Sequence, residues 1–229
     1  MEFKFYRTEF LTLKINHICF DLDGTLVKSD KTIYKSTLKA LKRLGINGSI
    51  DEKRFSEMLG MHFVDIFNDL GIDVPDFDKF IGIYKSYYFD FIDESFLYPN
   101  IEETLSFIQE KDIKISLLTT KGQDQAEKII NHFHLNTHFD FIMGRREGIA
   151  HKPSAEPLLN ICDSLNVKIF NTVMVGDTEI DIGCGKNAGA ITCAVSYGFR
   201  TEETLLKYEP DYIFNSILEL QKFLSNNNL

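Results

Sequence analysis

The sequence predicts an α/β protein built on a doubly wound parallel sheet, with an all-helical domain inserted near its amino-terminal end. Three observations predict it. Short apolar runs recur at residues 15–20, 113–119, 139–143, 172–176, 191–195 and, more weakly, 212–214, with the length and composition of buried parallel strands. Stretches of helical periodicity alternate with them at 101–110, 123–133, 156–165, 180–188, 202–207 and 217–224, and such alternation gives a parallel sheet with helices on both faces. The rhythm breaks once. About ninety residues separate Asp23 from Ile113, where a strand–helix–strand unit needs only about thirty.

The first strand, 15–20, runs into Phe20-Asp-Leu-Asp-Gly-Thr-Leu-Val27. Side chains two apart on a strand point the same way, so Asp21 and Asp23 project together where the strand ends, and Gly24 lets the chain turn. Paired carboxylates repel each other and lose hydration, so such a pair calls for compensation. A solvated Asp-Gly turn is the plain alternative, and the octet alone does not separate the two. The excess that follows carries apolar residues at helical spacing: Leu38, Leu41 and Leu44, then Phe55, Met58 and Leu59, then Phe63, Ile66, Phe67 and Leu70, closing on an aromatic stretch at 80–91. It reads as a helical cap over 29–97 whose aromatic residues form its own core, leaving 1–28 and 98–229 as the α/β core. The linkers fall near Val27-Lys28 and Tyr98-Pro99. Ligands of such sheets bind at the carboxyl ends of the strands, and Thr119 and Asp177 join Asp21 at such ends.

Composition narrows the function. The chain has 229 residues, 44% hydrophobic and 26% charged, with a net charge of −9, ordinary for a globular protein. The acidity and the absence of any basic run argue against a nucleic-acid partner. Four cysteines without a CxxC pair or a disulfide-like framework suit a reducing, cytoplasmic setting. No run approaches the ~18 apolar residues of a membrane span, so no membrane partner is expected. Charges at Glu2, Lys4, Arg7 and Glu9 make the segment 1–14 unlike a signal peptide.

Four stretches line up at the expected strand ends: Asp21-Leu-Asp-Gly-Thr25, Leu118-Thr119-Thr120-Lys121, His151-Lys152-Pro153, and Val175-Gly176-Asp177-Thr178-Glu179-Ile180-Asp181. Together they resemble the four motifs of the haloacid dehalogenase (HAD) superfamily of phosphohydrolases. The resemblance runs over nearly the whole chain from Ile15, and "LYPNIEETLSFIQEKDIKISLLTTK", "HKPSAEPLL" and "VMVGDTEIDIGCGKNAGA" look like the phosphoglycolate phosphatase branch, which carries a helical cap after the first motif.

That resemblance implies a chemistry. Asp21 would be the nucleophile, forming an aspartyl phosphate. Asp23 would be the general acid and base. Thr119 would donate its hydroxyl to the phosphoryl group, assisted by backbone N–H groups of Leu22, Asp23 and Thr120. Lys152 would supply a cation to the phosphate and the carboxylates. Mg²⁺ would be held by Asp21, the carbonyl of Asp23 and Asp177, with Asp181 holding metal waters or orienting Lys152. The implied activity is Mg²⁺-dependent hydrolysis of a small phosphorylated metabolite such as a phosphoglycolate-like phosphomonoester. A pyrophosphatase or a sugar phosphomutase would use the same core, and a phosphate-sensing or partner-binding protein could keep the fold without catalysis. Asp23 argues against a dehalogenase, which typically lacks the second acid. A phosphonatase would need a cap lysine, for which Lys53 is the candidate.

Other features weigh less. Arg54 and His62, beside Gly60, are the cap residues expected to read the substrate, against a plain reading as solvated helix residues. His132, His134 and His138 read as a helix end and loop rather than a metal cluster. Cys19 shares the face of Asp21 and reads as a small buried thiol. Arg145-Arg146 departs from the branch's pattern, as do Lys28 and Thr120, and these departures bear on the substrate rather than the reaction.

Overall fold

The computed structural model describes residues 14–46 and 48–226; the extension before Lys14 and the tail beyond Asn226 lie outside them. The chain runs β1 (His17–Phe20), β2 (Val27–Lys28), α1 (Asp30–Arg43), α2 (Glu52–Glu57), α3 (Phe63–Leu70), α4 (Phe77–Tyr88), a 3₁₀ turn and β3 (Phe96–Leu97). It then alternates: α5 (Ile101–Glu110), β4 (Lys114–Gly122), α6 (Gln123–His132), β5 (Phe141–Arg145), α7 (Glu156–Leu165), β6 (Thr172–Gly176), α8 (Glu179–Ala188), β7 (Ile191–Val195), α9 (Glu202–Leu206), β8 (Tyr212–Phe214) and α10 (Ile217–Asn226). Two compact units result: residues up to Leu26 together with Leu97 onward, and Val27–Phe96.

In the first unit six strands form one sheet in the order β5-β4-β1-β6-β7-β8. The pairings are parallel, with Ile18 beside Ile115 on one side and Val173 on the other. Strands β1, β6 and β7 are buried at every residue, which is why they read as unbroken apolar runs instead of alternating. Cys19, Leu118 and Met174 pack with Leu158 and Ile161 of α7 and Cys184 of α8 in one cluster. Strand order reverses at β1, with β4 and β5 leading one way and β6, β7 and β8 the other. The crevice of a doubly wound sheet lies at that reversal, outside the carboxyl ends of the strands. Asp21 is the residue that follows β1.

The second unit is helical. Phe80 packs edge-on against Phe63 and Phe67 and stacks with Tyr84, and Phe55, Phe80 and Tyr88 are fully buried. The aromatic stretch is therefore this unit's own core. Strands β2 and β3 pair as a two-stranded ribbon; at two residues each they carry no periodicity for a sequence to reveal. Strand β4 runs on through Thr120, Lys121 and Gly122, past the apolar run that marks its start.

Inside the sheet, the His17 ring is fully buried between the hydroxyls of Ser116 (Nε2, 2.8 Å) and Thr172 (Nδ1, 3.1 Å) on the two flanking strands. Burial pushes its pKa down to about 4, with Asp140 pulling weakly the other way. The folded protein thus holds His17 neutral where the unfolded chain, at about 6.5, would take a proton. Between those values the unfolded state binds more protons, so stability falls as pH falls. The cost is absent above about pH 6.5 and reaches about 3 kcal/mol near pH 4, from about 1.4 kcal/mol per unit. Urea denaturation at pH 7 and pH 4 should show His17→Gln losing about 3 kcal/mol less than the wild type over that interval; equal losses would remove His17 from the account.

Candidate active site

The four sequence stretches converge at the carboxyl ends of β1, β4 and β6. Asp21 leaves β1 with its backbone N–H on Val175 O, 2.9 Å away on β6, and its side chain is buried. Lys152, 2% exposed, reaches Asp21 Oδ1 at 2.6 Å, Asp181 Oδ1 at 2.6 Å and Leu118 O at 2.9 Å. An ammonium has three protons to donate, and these three acceptors take them all. In this arrangement Lys152 serves the carboxylates first, and sharing it with a phosphate means loosening one of these bonds.

Asp177 follows β6 directly and is fully buried. Thr25 donates its hydroxyl to Oδ1 at 3.0 Å and the Phe199 N–H donates to Oδ2 at 2.7 Å. Asp181, in the first turn of α8, is likewise buried and reaches back to Thr178, accepting from its N–H at 3.1 Å and its hydroxyl at 2.5 Å. A carboxylate at that position complements the unsatisfied N–H groups at a helix start. Asp181 therefore caps the helix with one oxygen and holds Lys152 with the other.

Asp23 is partly buried, its Oδ2 lying 3.3 Å from Lys121 Nζ. Thr119 is 4% exposed and its Oγ1 accepts the Lys121 N–H at 3.3 Å. That accepted bond leaves the hydroxyl hydrogen for another acceptor. Leu22 is buried and Thr120 half-buried on the same strand ends.

Asp21, Asp177 and Asp181 each offer a carboxylate oxygen within 4.8 Å of the others, as a metal site requires. Their electrostatics fit a cation as well. Burial raises Asp21 to about 7 despite Lys152. It also raises Asp177 well above the usual carboxylate range, helped by Asp21 and Asp181 and opposed by the Phe199 N–H and Thr25 hydroxyl. Burial opposes the charge on Lys152, yet Asp181 and Asp21 outweigh it and raise that pKa too. Groups of both kinds hold protons more tightly, the carboxylates chiefly because they are buried and Lys152 because Asp181 and Asp21 face it. With Asp23 counted, four carboxylates face two ammonium groups, and the remaining two negative charges match one divalent cation bound through oxygen.

Beside Thr119 and Lys152 a cavity is lined by Leu118, Arg145, Arg146 and His151. Arg146 is drawn back onto Gln123 Oε1 and Ile142 O, while Arg145 is exposed. Arg54, Gly60 and His62 belong to the helical unit. There Arg54 pairs with Asp69 at 2.8 Å, Gly60 has φ +96 and His62 precedes α3 as its N-cap. His138 bonds Gln109 at 2.7 Å, and the three histidines form no metal-binding group among the described residues. Buried Cys19 has its thiol pKa pushed well up, the state of an inert thiol. Sequence reading missed Thr25, Lys121 and Phe199 as partners of the carboxylates. Thr25 and Lys121 stood inside quoted motifs and could have been found there; Phe199 acts through its main chain, which leaves no mark.

The sequence profile described as haloacid dehalogenase-like hydrolase matches residues 18–195. The chain belongs to this family. It is a phosphohydrolase of the HAD superfamily, with the α/β fold of its relatives. A relative named pyrophosphatase PpaX, from Halalkalibacterium halodurans, is 32% identical over 91% of this chain and 96% of its own length. A solved haloacid dehalogenase-like hydrolase from Streptococcus pneumoniae superposes with a TM-score of 0.83 at 27% identity, covering 92% of this chain and 99% of the other. A structure described as a predicted phosphoglycolate phosphatase, from Haemophilus somnus, gives 0.79 at 24% identity over 92% and 98% and shares the fold.

Gly24 is what lets the HAD strand end fold against Asp177. Its φ is +86, and a Cβ there would lie 2.2 Å from Asp177 Oδ2. Gly189, φ +82 beyond α8, has open space around the same position. Both glycine-to-alanine changes incur the backbone strain of a positive φ, about 1 kcal/mol, but Gly24→Ala must also displace Asp177. Thermal melts and phosphatase assays should show Gly189→Ala losing stability alone and Gly24→Ala losing more stability and at least tenfold in activity. Equal behaviour of the two would disconnect Gly24 from the site.

Proposed function

We propose that the protein is a Mg²⁺-dependent phosphatase that hydrolyses a small phosphorylated compound through an aspartyl phosphate on Asp21. The observation that carries this reading is the setting of Asp21: a buried carboxylate at the sheet's switch point, held by Lys152 beside Asp177 and Asp181, with a second acid two residues on. Asp21 attacks phosphorus, the bond to the leaving oxygen breaks, and Asp23 gives that oxygen a proton. Asp23 then takes a proton from the water that attacks the aspartyl phosphate, releasing phosphate and restoring Asp21. Thr119 donates its hydroxyl to a phosphoryl oxygen, with the N–H groups of Leu22, Asp23 and Thr120, while Lys152 keeps Asp21 oriented and offsets charge on the phosphoryl oxygens. Asp21, Asp177, Asp181 and the Asp23 carbonyl would hold Mg²⁺, which when bound draws negative charge off the phosphoryl oxygens.

The sequence motifs suggest a phosphoglycolate-like monoester. A second reading, pyrophosphate, is favoured by the name of the 32%-identical relative that spans nearly the whole chain. A hydrolysis panel containing pyrophosphate, phosphoglycolate, sugar phosphates and p-nitrophenyl phosphate separates the two.

Two outcomes test the reading. Asp21→Asn should abolish turnover while leaving the circular dichroism spectrum and melting cooperativity intact; retained turnover would rule out the covalent route. Mg²⁺ should raise the wild-type melting temperature, since a ligand that binds only the folded state stabilises it. Asp177→Asn should weaken that shift, and EDTA should silence activity reversibly. An unchanged Mg²⁺ shift in the variant would move the metal elsewhere.

A further inference from the structure

Each carboxylate of the site has a visible means of orientation. Asp21 has Lys152, Asp177 has Thr25 and the Phe199 N–H, and Asp181 has Thr178 and Lys152. For Asp23 the structure shows Lys121, its Nζ 3.3 Å from Oδ2. Two features set this contact apart from an ordinary surface ion pair, which contributes little. The Lys121 and Asp23 side chains are only 9% and 14% exposed, so solvent screening is weak. The pair also joins the end of β4 to the turn after β1, neighbouring strands in the sheet, so the lysine is carried by a rigid element.

The same residue serves the neighbouring motif through its main chain, where its N–H is donated to Thr119 Oγ1. One position therefore touches both the proton-transfer acid and the phosphoryl-binding hydroxyl. Lys152 is committed to Asp21, Asp181 and Leu118 O, and none of its bonds reaches Asp23. An aspartate side chain has two torsions to fix, and a displacement of about 1 Å in a reacting group costs up to about 10²-fold in rate.

We infer that Lys121 is the positioning residue of the proton-transfer acid: its ammonium holds Asp23 Oδ2 so that the carboxyl group stays aimed at the leaving oxygen. The inference rests on the role proposed above for Asp23. Lys121 acts through Asp23, and its removal matters in proportion to how much the leaving group needs a proton. It also separates the two lysines of the site: Lys152 orients the nucleophile and Lys121 orients the acid.

The test is a double-mutant cycle read with two substrates, the best alkyl phosphate from the panel and p-nitrophenyl phosphate, whose leaving group needs little protonation. Lys121→Met should lower kcat for the alkyl ester by roughly 10-fold to 10²-fold with KM changed less than about twofold, and should lower kcat for the aryl ester much less. Asp23→Asn should lose roughly 10²–10⁴-fold on the alkyl ester, and adding Lys121→Met to it should cost little more, because groups acting as a unit are not additive. Lys121→Arg, which keeps the charge, should recover most of the alkyl-ester rate. Losses that multiply in the double variant, a rise in KM in place of a fall in kcat, or equal losses on both esters would overturn the inference. If Lys121→Met does not fold, the Lys121→Arg and Lys121→Gln pair reads the same contrast, and equal alkyl-to-aryl ratios in these two overturn it as well. Equal losses on both esters for Asp23→Asn itself would instead overturn the role of Asp23.

Discussion

Burying a carboxylate costs several kcal/mol unless something positive is buried with it, and at the ends of β1 and β6 three carboxylates lie almost out of reach of water. The Lys152 ammonium between Asp21 and Asp181 is what makes that arrangement stable enough to exist. Its position has to be rigid, because a cation that wandered would leave two charges uncompensated. The chain meets that need by giving each ammonium proton an acceptor, two of them carboxylates and the third the main-chain oxygen of Leu118 on β4. Lys152 is thereby tied to three elements, β1, β4 and α8. Breaking a buried pair of this kind by removing one partner costs about 3–5 kcal/mol, so Lys152 and its carboxylates also hold the unit together.

The surplus of negative charge left over shapes the rest of the site. Burial raises Asp21 and Asp177, the neighbouring carboxylates add to it, and on Lys152 Asp181 and Asp21 outweigh burial. With four carboxylates facing two ammonium groups, the site as folded is short of positive charge. Glycines make the close approach of the carboxylates feasible. A Cβ at Gly176 would lie 2.2 Å from Asp181 Cγ, and one at Gly198 would lie 2.4 Å from Asp177 Cβ. The carboxylates occupy space that ordinary side chains would fill, and the backbone gives way to them.

Much of this was legible in the sequence, for identifiable reasons. Strands β1, β6 and β7 betray themselves because they are buried at every residue and read as unbroken apolar runs, and the carboxyl-terminal ends follow once the strands are placed. Asp21, Thr119 and Asp177 could be placed at the carboxyl ends of strands, and Lys152 and Asp181 joined them through the resemblance of their stretches to HAD motifs. What stayed hidden were relations rather than residues. Nothing local says that Lys121 reaches Asp23, since that depends on side-chain directions across neighbouring elements. The contact from Phe199 is harder still. Any residue except proline supplies the same backbone N–H, so its use at Asp177 leaves no compositional trace. The end of β4 was hidden because Thr120, Lys121 and Gly122 lack the apolar character that marks the strand's start.

The bond from Thr25 to Asp177 spans 152 positions, and the one from Phe199 reaches the same carboxylate from beyond β7. The stretch after β1 is thus completed by residues far along the chain: Lys152 lies 131 positions beyond Asp21. A chain that ends short of β7 lacks Phe199, and its Asp177 carboxylate then keeps the Thr25 hydroxyl as the other of these two donors.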